Sequence, residues 1–155
     1  MGVLILFGTL VLAWVLALFN VNAPGTASDP TFWTNAIAWM FFLPAGIQFL
    51  VSGFMHTVLA KKTAEGIGWV TNGFQYEIGF VSLGLGVAGL VATGLNRGAW
   101  LVLTIVISFF LLLAAAQHLK QMAQEKNFKP GNSLILLYDI GLPVSLWICL
   151  LNIPS

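Results

Sequence analysis

The sequence predicts an all-α integral membrane protein, a single transmembrane domain over 1–155 that crosses the bilayer five times. Three observations predict it. Of the 155 residues 59% are hydrophobic and 7% charged, against roughly 25% charge in an ordinary soluble domain. Five apolar stretches follow one another at about 2–19, 36–60, 74–95, 99–119 and 134–153; at 1.5 Å rise per residue their lengths suit a hydrocarbon core of about 30 Å. Each stretch is continuous rather than alternating, which selects helices over a closed barrel, the other structure that satisfies its own backbone in lipid.

The first stretch lacks a basic leader. Val21-Asn22-Ala23 loosely resembles a signal cleavage site, but Pro24 would follow the cut directly, so a retained helix is expected. Asp29-Pro30 predicts a short interfacial helix before the second span, with Asp as N-cap and Pro at N1. Thr71 or Asn72 is expected to cap the third span and Asn132 or Ser133, after the breaker Pro130-Gly131, the fifth. Pro44 and Pro143 lie inside spans and should release the carbonyls of Met40 and Asp139, because proline has no N–H to give them. Along the third span Gly79, Ser82, Gly86 and Gly89 form one small-residue face, with Gly84 and Ala88 below Glu77 on the other; small residues let helices approach closely in lipid. The Gly84-to-Gly89 segment also spells Gly-x-Gly-x-x-Gly, but with no preceding strand it is no nucleotide loop. The lone cysteine, Cys149, reads as a small buried or lipid-facing hydrophobe.

Charge sets the orientation. Lys61 and Lys62 fall in one loop and Lys120, Lys126 and Lys129 in another, while 20–35 carries no Lys or Arg and 96–98 only Arg97. The positive-inside rule then places a multi-pass protein of the bacterial inner membrane with its N-terminus cytoplasmic and its C-terminus periplasmic. Trp33, Trp39 and Trp100 mark the outer boundary and Trp69 the inner one, as interfacial anchors. A formal net charge of +1 offers no basic face for a phosphate backbone, so the lipid bilayer is the expected partner and nucleic acid is not.

Shifting the chain by 62 residues lays His56 on His118 and Tyr76-Glu77-Ile78-Gly79 on Tyr138-Asp139-Ile140-Gly141. The repeat predicts two tandem helical hairpins related by a pseudo-two-fold axis along the membrane normal, spans 2–5 forming a four-helix bundle. Four ionisable side chains, His56, Glu77, His118 and Asp139, should then meet at one depth near the cytoplasmic side. Buried charges in lipid face the bundle interior and pair. The inward faces are expected through Ala115, Leu111, Ser108 and Thr104 above His118, and through Ser52, Phe49 and Ala45 above His56.

Two imidazoles and two carboxylates suit a divalent metal such as Zn, Mn or Fe. The same four groups would also serve as a proton relay, extended by Gln48, Gln75 and Gln117, or as a structural knot in which each His pairs with an acid. Two His on parallel helices could alternatively ligate haem b. Glu65, Glu125 and the loop lysines read as solvated charges, and no serine or cysteine nucleophile has a local base. Three classes of function follow: a metal- or proton-binding bundle in transport, sensing or membrane redox, a haem- or quinone-binding redox protein, and a non-catalytic subunit of a homo-oligomer or larger membrane complex.

Gly46-x6-Gly53-x2-His56, Phe74-Gln75-x-Glu77-x-Gly79 leading into Leu83-Gly84-x-Gly86, and Arg97 before a long apolar helix resemble the DoxX-like small membrane proteins. Pro130-Gly131-Asn132 and Asp139-Ile140 are similar to one branch of that group. The resemblance implies a small helical membrane protein linked to redox, sulfur or quinone chemistry; the single cysteine speaks against a thiol-redox role.

Overall fold

A computed structural model describes residues 2–154. Every regular element among them is helical: α1 (Gly2–Leu18), α2 (Phe32–Met40), a π-helical segment (Phe41–Ile47), α3 (Gln48–Thr57), α4 (Ala60–Ile67), α5 (Gly73–Ala92), α6 (Arg97–Glu125), α7 (Pro130–Ser133) and α8 (Leu136–Asn152). Four continuous helical stretches, Phe32–Thr57, Gly73–Ala92, Arg97–Glu125 and Pro130–Asn152, are long and apolar enough to cross a membrane. The fifth apolar helix, α1, has 17 residues and is therefore only about 25 Å long, short of a full hydrocarbon core.

The ends of these helices differ from expectation in two places. No helix begins at Asp29-Pro30; Thr31 is the N-cap of α2, its side chain accepting from Thr34 N at 3.3 Å. Asn132 does not cap the last span but lies, fully buried, within α7. Asn72 is the N-cap residue of α5, and Asn96 caps α6 by accepting from Gly98 N and Ala99 N. α6 runs on to Glu125 and carries His118 and Lys120 on helix.

Pro44 leaves its mark on the second span. With no N–H at this position the ladder loosens into the π segment, as helices do where a hydrogen bond is missing. The carbonyl of Pro44 itself accepts from the Tyr138 hydroxyl on α8, which ties the irregular turn to the opposite hairpin.

The π segment and α3 pack along α5, α2 packs on α1 and α8, and α6 packs along α8. The first pair approaches so closely that a Cβ built on Gly89 would lie 2.8 Å from Gly46 N and 2.9 Å from Phe41 O. The small-residue face of the third span is therefore a helix–helix seam. Phe49 joins the pairs, its ring 5.8 Å from Phe110 of α6 and 6.4 Å from Tyr138 of α8. Thr104, Ser108, Leu111 and Ala115 are buried, as the periodicity of α6 predicts. α1 lies over α2 and α8, with Trp14 donating to Ser145 at 3.0 Å.

The tryptophans do more than mark an interface. Trp39 donates to Val21 O and Trp100 to Ala92 O, both rings buried. Each adds a side-chain donor to a carbonyl where the chain leaves a helix, Val21 O after α1 and Ala92 O at the end of α5, so the indoles clamp chain reversals from inside.

Candidate functional site

The two lysine-bearing loops lie at the same end of the bundle and dock on each other. Asn127 Nδ2 donates to Ile67 O at 2.8 Å, and Lys129 Nζ to Glu65 O at 3.0 Å. Gly68 ends α4 at φ +80, a conformation that also lets the Asn127 amide pass where a Cβ would stand. Under this docked pair of loops lie His118 and Asp139.

His118 Nε2 and Asp139 Oδ2 are 4.0 Å apart, the one approach of a basic side chain to a carboxylate recorded among the described residues. Asp139 is 3% exposed, and its Oδ2 has no hydrogen-bond partner there. At 4.0 Å the two atoms are too far apart for a direct hydrogen bond, yet one water or one ion spans the distance. On its other side the imidazole meets Asn132, whose Oδ1 is 2.8 Å from Nδ1 and also accepts from Trp69 Nε1 at 3.1 Å. Asn132 Nδ2 donates to Asn127 O at 2.9 Å and to His118 O at 3.3 Å. Trp69 covers the ring, centroids 5.2 Å apart and planes at 36°.

His56 is half-buried and presents a buried Nδ1 without a partner. Glu77 is elsewhere. It is exposed, as is its neighbour Tyr76, whereas Tyr138 and Asp139 are buried. The reason is helical phase. At about 100° per residue, Glu77 sits about 200° around α5 from Gly79, which faces the seam with α3. α8 is covered by α6, α2 and α1, while α5 leans chiefly on the second span, so the corresponding face of α5 has no helix to cover it.

The expectation that His56, Glu77, His118 and Asp139 converge is thus corrected: His118 and Asp139 come together, His56 stands outside that pair, and Glu77 points away. Among the described residues no three His, Cys, Asp or Glu side chains gather into a set that could hold a metal ion. Two residues of the site were not singled out from sequence as part of it. Trp69 was assigned to the membrane interface and Asn132 to a helix cap; the only signal was the presence of an amide beside a helix breaker, which turn chemistry explains equally well.

Four apolar helices of membrane-crossing length, with one buried His–Asp pair beneath docked loops, define the class: a helical bundle of the membrane-protein type. The chain belongs to DUF6790, a family of unknown function whose model matches residues 3–154. No curated protein and no solved structure matches it.

Proposed function

We propose that this protein is a five-span bacterial inner-membrane protein whose His118–Asp139 pair binds a cation, a proton or a divalent metal, in transport, sensing or membrane redox. The observation that carries the reading is the buried, unpartnered Oδ2 of Asp139 at 4.0 Å from His118 Nε2. Ionisable groups inside a membrane bundle are costly, and default to function where their own protein leaves them incompletely paired. His118 and Asp139 would supply two donors to a metal, the rest coming from water or a partner; a proton needs only the pair. Kinship with the DoxX-like proteins belongs to the same proposal and rests on the glycine, histidine and acid spacings.

Melting of wild type and His118→Ala in detergent tests it. Removing the imidazole leaves Asp139 buried alone, at about 3–5 kcal/mol. Metal at a hundred times its Kd should stabilise wild type by about 2.7 kcal/mol and leave the variant unmoved, and chelation should reverse the gain. If the cation is a proton, wild type instead shows a pH dependence of melting that the variant, left with Asp139 alone, alters. A variant destabilised equally in every condition, beside a wild type indifferent to metal and to pH, would refute the site. That outcome would favour a non-catalytic subunit of a homo-oligomer or larger complex, a reading supported by the open apolar groove of about 470 Å³ between α5 and α6, lined in part by Ala88, Gly98 and Ala99.

The orientation part of the proposal rests on the lysines. The two loops that carry them meet at one end, and Val21, Asn35 and Trp39 join at the other. Reporter fusions are expected to place the N-terminus in the cytoplasm and the C-terminus in the periplasm. Both ends on one side would mean that α1 does not cross.

A further inference from the structure

We propose that Asn132 is the positioning residue of this site: it holds His118 as the Nδ1–H tautomer, making Nε2, turned toward Asp139, the atom that takes up the cation. What Nε2 does rests on the function proposed above, whereas the tautomer stands on geometry alone.

An indole N–H donates and never accepts, so the Asn132 atom 3.1 Å from Trp69 Nε1 is the amide oxygen. The NH2 group of the same amide faces the carbonyls of Asn127 and His118, which only accept. A flipped amide would set NH2 against an indole N–H and oxygen against two carbonyls, so all three contacts agree on one orientation. That orientation puts an oxygen 2.8 Å from His118 Nδ1, a contact that requires hydrogen on this nitrogen. A neutral imidazole carries one N–H, and the partner of one nitrogen decides the role of the other. Nε2 is then an acceptor.

As a carboxylate, Asp139 Oδ2, facing it at 4.0 Å, is an acceptor as well. Two acceptors confront each other across a gap that a proton on water, an ammonium-like donor or a metal cation joins and that an anion does not. The ligand class is therefore cationic or doubly donating. Because Asn132 sits on the 126–133 loop and Trp69 on the loop after α4, the docking of the two loops orients the imidazole; the site is set from the lysine-rich end.

The test is ¹⁵N NMR of histidine-labelled full-length protein in lipid nanodiscs, with His118 assigned by comparison with His56→Gln, the chain having two His. Neutral His118 is expected to show a pyrrole-type Nδ1 and a pyridine-type Nε2. Trp69→Phe should keep that pattern, since Asn132 still accepts from the ring. Asn132→Ala should lose it in favour of Nε2–H, the form free imidazole prefers. Wild-type His118 found as Nε2–H, or doubly protonated from mildly acidic to alkaline pH, overturns the proposal. So does a folded Asn132→Ala that retains the Nδ1–H signature, or a Trp69→Phe that loses it. If Asn132→Ala does not fold, the wild-type and Trp69→Phe spectra decide. An Nδ1–H His118 in a protein whose melting ignores metal and pH would strike the cation site and leave the positioning role; a metal response with Nε2–H would do the reverse.

Discussion

Asn132→Ala is expected to lower the stability of this protein by about 1–3 kcal/mol, with little change in helix content before the melt. The amide is fully buried, and its oxygen serves two N–H donors on different elements, Trp69 Nε1 and His118 Nδ1. Truncation leaves the Trp69 indole without an acceptor, and a buried donor left unmade costs about 1–3 kcal/mol, whereas His118 escapes by moving its hydrogen to Nε2. The carbonyl of Asn127 loses a donor too, which loosens the 126–133 loop over the site. Thermal melting in one detergent measures the loss. Asn127→Ala, which removes contacts to Ile67 O and Gly68 O nearer the surface, is expected to cost less. Equal melting of Asn132→Ala and wild type would mean that the network contributes nothing beyond what water replaces.

Two glycines of one helix should behave oppositely. A Cβ at Gly89 meets Gly46 N at 2.8 Å, Phe41 O at 2.9 Å and Ala45 C at 3.0 Å, all main-chain atoms that cannot swing aside. The helices must separate, at an expected cost of about 1–3 kcal/mol for Gly89→Ala. Gly84 has nothing within 4 Å of its Cβ position, so Gly84→Ala keeps only the helix-propensity gain, about 0.5–1 kcal/mol. Melting of the two variants side by side checks the seam. A Gly84→Ala loss as large as that of Gly89→Ala would put a helix against the outer face of α5.

This contrast also shows where the sequence reading went astray. Gly79, Ser82, Gly86 and Gly89 were placed on one face of the third span and Glu77 with Gly84 and Ala88 on the other, which is how α5 lies. Placing Glu77 in the bundle interior as well asked both faces of α5 to turn inward. The repeat encouraged it, because Tyr76-Glu77 and Tyr138-Asp139 align in sequence. Their surroundings differ, since α8 is covered on several sides and α5 is not. Likewise Trp39 and Trp100 have the composition of interfacial anchors, and only the positions of Val21 O and Ala92 O reveal them as internal clamps.

The sequence by itself determined that this is a helical membrane protein: apolar content, stretch length and the backbone's need to satisfy itself in lipid leave no other choice, and they do not depend on how the helices meet. It also determined the faces of single helices, because a 3.6-residue period is local; the buried run from Thr104 to Ala115 and the glycine seam follow from it. The tertiary structure alone decided which acid lies inside, that His118 has Asp139 rather than Glu77 for company, and that Asn132 and Trp69 complete the site. Those choices depend on which neighbour covers each face and how two loops 60 residues apart dock, and no periodicity within one segment carries that information.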